Sequence, residues 1–153
     1  MKKLLLSVII FVMMFSFQSF SQDESGVSAE QMKAWQDYMT PSETHKMLEK
    51  SNGTWTAKTT MWMMPGSEPA QSEGIMVNEM ILGGRYQKST FKGDMMGMPF
   101  EGMSLLAYDN AAKGFYSIWV DNMGTGMMML KGKYDEGTNM VDLKGTYVDP
   151  MTG

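Results

Sequence analysis

Apolar and polar residues change rhythm twice along the chain. Residues 4–15, from Leu4 to Phe15, form an apolar run broken only by Ser7. Between Ser28 and Asn52, apolar side chains recur every three or four positions, the repeat of a helix with one buried stripe. From Gly53 onward apolar and polar positions alternate, the repeat of a strand with one buried face.

The helical stretch divides in two. Ser28 and Gln31 have the spacing of a capping box. Met32, Trp35, Tyr38 and Met39 form the stripe that follows. Thr40-Pro41 ends this helix, because Pro disfavours a helical residue before it. Pro41 is also suited to the first turn of a second helix, with Thr40 as its cap. Met47 and Leu48 give that helix an apolar side, and Asn52-Gly53 stops it.

The alternating stretch predicts seven strands. The first covers Thr54–Met63, with Trp55, Ala57, Thr59, Met61 and Met63 on one face. The others cover Glu73–Ile81, Arg85–Lys92, Met98–Tyr108, Phe115–Asp121, Thr125–Tyr134 and Met140–Val148. Gly-, Asp-, Asn- and Pro-rich turns separate them. Short links between successive strands predict a mainly β fold, an antiparallel up-and-down meander. Curling into a barrel would bury one face and hide the edges. A small barrel takes about eight strands. The chain closes on the turn Asp149-Pro150-Met151-Thr152-Gly153, so an incomplete barrel, truncated at its C-terminus, is expected.

The leader is an address. Lys2 and Lys3 precede the apolar run, and the small residues Ser19 and Ser21 follow it. This pattern predicts a signal peptide over 1–21, cut after Ser21, and a periplasmic or secreted protein. The run is shorter than the about 20 residues that span a bilayer, so no stable membrane span is expected after cleavage. The predicted organisation is signal peptide 1–21, helical lead 22–52 and barrel domain 53–153.

Charge and composition narrow the function. The sequence carries 13 Lys+Arg and 17 Asp+Glu, a formal charge of −4. This acidic balance excludes a nucleic-acid partner, whose phosphates demand clustered cations. There is no Cys, hence no disulfide, thiolate metal site or cysteine nucleophile. His45 is the single histidine. No Gly-x-Ser-x-Gly elbow or His-Glu-x-x-His motif is present, so neither an enzyme nor a cofactor is expected. Gly124-x-Gly126 lacks the third Gly, the following helix and the Lys of a phosphate loop.

Several motifs resemble one family. They are Trp35, Tyr38, Pro41, His45, Leu48 and Gly53-Thr54-Trp55, followed by Ile81-Leu82-Gly83-Gly84-Arg85-Tyr86. Gly97-Met98-Pro99-Phe100-Glu101-Gly102, Tyr108-Asp109-Asn110 and Trp119 through Gly126 complete the set. In this order they resemble the bacterial domain-of-unknown-function 1579 family. The resemblance implies a lipocalin-like or calycin-like barrel and no assigned reaction. Gly53-x-Trp55 is also similar to the opening signature of lipocalins, where the Trp closes one barrel end.

The expected function is binding of a small apolar or amphipathic molecule inside the barrel. Trp55, Met61, Met63, Phe100, Tyr108 and Trp119 are the expected apolar lining. Arg85 and Asp121 are the expected polar groups. Asp121 shares a face with Phe115, Ser117 and Trp119, and an interior carboxylate needs a partner; the forked guanidinium of Arg85 is suited to it. Such a pair serves equally as a structural ion pair. The methionines add an alternative. There are 21, clustered at Met61/Met63/Met64, Met95/Met96/Met98 and Met127/Met128/Met129. Thioethers fill irregular apolar space, but they also ligate Cu(I). A structural or interaction module without a small ligand is the third alternative.

Overall fold

Each predicted run of alternating residues forms a strand, in the computed structural model that describes residues 26–62, 64–148 and 150. The leader over 1–21, the side of the sheet taken by Met63, and residues 149 and 151–153 of the closing turn lie outside the described residues. The elements are α1 (Ala29–Met39), α2 (Glu43–Glu49), β1 (Gly53–Met61), β2 (Ala70–Ile81), β3 (Tyr86–Met95), β4 (Met98–Asp109), β5 (Gly114–Asp121), β6 (Met128–Asp135) and β7 (Met140–Lys144). Every strand pairs antiparallel with the next, in the order β1 to β7. The sheet curls into a half-barrel with β1 and β7 as its edges. No helix among the described residues is long and apolar enough to cross a membrane.

Register decides what the concave face carries. One row across the strands is Trp55, Met76, Phe91, Gly102 and Asp121. The next is Gly53, Asn78, Ser89, Ser104, Trp119 and Met128. A third runs Met80, Gln87, Leu106, Ser117 and Leu130. Cross-strand partners point to the same side, so each row is a band around the inside of the curl. The convex side carries exposed ion pairs, Lys58–Glu73 and Lys92–Glu101, each at 3.1 Å. Such surface pairs contribute little.

One end of the half-barrel is plugged. Leu48 of α2 and Phe115 of β5 are buried there, with His45 and Gln87. Gln87 Nε2 donates to the Leu48 carbonyl at 2.7 Å and to Ser51 Oγ at 2.8 Å, so the last turn of α2 is tied to β3. Tyr108 packs on Phe115 with ring centroids 4.9 Å apart. By contrast α1 buries no residue. It is held by its C-terminal carbonyls, which lack intrahelical partners. Asn110 Nδ2 donates to the Asp37 and Thr40 carbonyls at 3.0 and 2.7 Å, and Arg85 Nη2 to the Met39 carbonyl at 2.7 Å.

Several boundaries differ from expectation; β2 starts earlier, at Ala70, and β3 runs on to Met95. The second helix is capped by Ser42, not Thr40, because the His45 ring three residues on accepts the Ser42 N–H at 3.0 Å. Thr40 is extended and its hydroxyl donates back to the Gln36 carbonyl at 2.7 Å, completing α1. β6 starts at Met128, not Thr125, because the Met123 and Gly124 N–H groups bond to Asp121 and hold the chain in a loop. β7 stops at Lys144, opposite Lys131, instead of running to Val148.

Candidate functional site

Two hollows lie at opposite ends of the sheet. The larger, about 550 Å³, opens at the end away from α2. Met76, Phe91, Met95, Phe100, Trp119 and Met123 supply its apolar wall. Asp94, Asp121 and Lys58 stand among its polar groups. The smaller, about 260 Å³, lies where the α1–α2 elbow meets the sheet and includes Arg85, Tyr108, His45 and Asn110 in its lining.

The aromatic wall depends on glycines in the neighbouring strands. The Phe91 ring rests against Gly74 of β2, and the Trp119 ring against Gly102 of β4, so close that a Cβ at either glycine would collide with it. Both rings therefore lie along the sheet instead of standing away from it. Phe91 and Phe100 are 5.7 Å apart between centroids, and Phe100 and Trp119 are 6.3 Å apart and nearly parallel. Trp119 is fixed at its other edge, where Nε1 donates to Asp121 Oδ2 at 2.7 Å.

The expected Arg85–Asp121 pair does not form. Asp121 Oδ1 accepts the N–H groups of Met123 and Gly124 at 3.0 and 3.2 Å, and Oδ2 takes the indole. Its partners are thus local and neutral. Arg85 donates to the carbonyls of Met39 and Leu82. The physical reason is distance along the sheet. Arg85 precedes β3, whereas Asp121 is level with Phe91, five residues beyond Tyr86. At about 3.3 Å per residue that is roughly 17 Å.

The expected lining residues therefore divide. Phe100, Trp119 and Asp121 line the larger hollow. Arg85 and Tyr108 line the smaller cleft. Trp55 and Met61 lie on the concave side of β1 outside both linings; Trp55 is half exposed and its Nε1 donates to the Ser51 carbonyl at 2.9 Å. Met76, Phe91, Met95 and Met123 are lining residues that the sequence did not single out as a group. Phe91 had a signal, since alternation sets it with Gln87 and Ser89. Met123 sits in a loop, where no period marks it. The tandem methionines separate: Met128 shares the inner row with Trp119, and Met129 pairs with Ile118 on the convex side.

His45 is a structural group of the plug. It is buried, and its ring meets the Tyr108 ring edge-on at 5.8 Å. Nδ1 accepts the Ser42 N–H, which places the proton of the neutral ring on Nε2. Burial lowers its pKa below the ordinary value, and the Arg85 charge adds to that; a hydrogen bond with the Tyr108 backbone opposes it. Protonation at Nδ1 would set two donors facing each other at Ser42. A folded-state pKa below the unfolded one means that the stabilisation is complete above about 6.5. It is lost as pH falls from there through the folded value. Urea midpoints between pH 7.5 and 5 should therefore drop more for the natural protein than for His45→Gln; identical pH dependence would contradict this role.

The family profile described as "Protein of unknown function (DUF1579)" matches residues 40–153. No curated protein and no solved structure gave a match. The matched span takes in α2, all seven strands and the whole lining of the larger hollow, and the chain belongs to the DUF1579 family.

Proposed function

We propose that the protein is an exported binding protein that holds a small apolar or amphipathic molecule in the larger hollow. The observation that carries this reading is the wall of Met76, Phe91, Met95, Phe100, Trp119 and Met123 around about 550 Å³. That size and apolar lining suit a small-molecule site, and thioethers let the wall adapt to its guest. Arg85, Tyr108 and Trp55 serve the scaffold: Arg85 anchors α1, Tyr108 packs the plug, and Trp55 fastens the start of β1. The leader pattern over residues 1–21 supports export.

The natural protein should bind the neutral apolar dye N-phenyl-1-naphthylamine with a stoichiometry near one. Titration with no saturable fluorescence gain rejects the reading. A soft-metal site has one observation in its favour, the three thioethers of Met76, Met95 and Met123 around a single hollow. Silver ion displacing the dye at one equivalent would favour that reading.

A further inference from the structure

We propose that the guest is a cationic amphiphile, a molecule with an alkylammonium head and an apolar tail. This rests on the container reading and adds the sign of the head group. Phe91, Phe100 and Trp119 line one side of the hollow within 6.3 Å of their neighbours. Aromatic faces attract cations, indole most strongly. The Trp119 N–H donates to a carboxylate at 2.7 Å, and such a bond polarises the ring towards greater electron density.

The charges around the hollow favour the same sign. Its charged lining residues are Lys58, Asp94 and Asp121. The Lys58 ammonium is 3.1 Å from Glu73, which offsets its charge. Asp94 and Asp121 have no ion-pair partner among the described residues. Asp94 Oδ1 accepts the Gly97 N–H at 2.7 Å, and Asp121 accepts three neutral donors. Asp121 thus faces the hollow uncompensated from the concave row, while Asp94 and the already paired Lys58 border it from strand positions that alternate to the convex side. A fatty-acid carboxylate would meet repulsion there, and an alkylammonium would meet attraction. The tail would lie against the thioethers of Met76, Met95 and Met123.

Calorimetric titration of the natural protein tests the sign. The probes are dodecyltrimethylammonium, dodecanoate and neutral dodecyl maltoside, each below its micellar concentration. The cation should bind about tenfold or more tighter than the anion, and added salt should shrink the gap. Asp94→Asn retains an acceptor for the Gly97 N–H, so its turn persists; it should weaken the cation more than the maltoside. Dodecanoate binding as tightly as the cation, with the maltoside also bound, overturns the charge preference and leaves the container standing. Failure of all three probes to bind overturns both.

Discussion

Phe115→Ala should destabilise the fold by about 3–5 kcal/mol, the range for removing a fully buried aromatic side chain. Phe115 is 1% exposed, the most completely buried large side chain among the described residues. It packs on Tyr108 and pairs across the strands with Gly132. Few other apolar residues are buried: Leu48, Phe91 and Phe100. A curled sheet with a small core has little redundancy. The expected loss is a large part of the roughly 5–15 kcal/mol that holds an ordinary domain together. Urea unfolding followed by circular dichroism gives the number, and a loss below about 1 kcal/mol would contradict a core centred on the plug. Phe115→Leu should cost less, because most of the volume remains.

Gly102→Val should damage the candidate site directly. A side chain at 102 occupies the space of the Trp119 ring. The ring is held by its hydrogen bond to Asp121 and by Phe100 beside it, so it cannot move without breaking one of these. Overpacking of this kind costs about 1–3 kcal/mol. Affinity for the neutral naphthylamine dye should fall about tenfold or more, since a wall of the hollow is displaced. Gly126→Ala is the control: its site is open, with nothing within 4 Å of the added carbon, and both stability and dye affinity should stay unchanged. Equal dye affinity in Gly102→Val and the natural protein would place the dye elsewhere.

The fold was legible because period-two alternation is a direct record of which face of a strand is buried. The inner face read from Trp55, Ala57, Thr59 and Met61 is the concave one, as is the face of Phe115, Ser117, Trp119 and Asp121. Pairings that follow from three-dimensional placement were not legible. Charge alone makes Arg85 and Asp121 natural partners. The meander instead puts Arg85 beside the end of α1, whose free carbonyls need a donor, and leaves Asp121 to nearby N–H groups. Neither need leaves a periodic trace. The methionine clusters do not stay together, for a related reason. Adjacent methionines on a pleated strand point to opposite faces, so Met128 and Met129 part, while Met76, Met95 and Met123, far apart in sequence, border one hollow. Of the candidate site, Phe100, Trp119 and Asp121 are legible in the sequence and Phe91 carries an alternation signal; the glycines beneath the rings emerge only from register.

The most direct measurement is fluorine NMR of the protein labelled with 5-fluorotryptophan and titrated with the naphthylamine dye. Four resonances are expected, from Trp35, Trp55, Trp62 and Trp119. A guest in the larger hollow shifts the Trp119 signal in proportion to occupancy and leaves Trp35, on the exposed α1, in place. A saturable shift of Trp35 with Trp119 unmoved would contradict a guest bound against the concave wall.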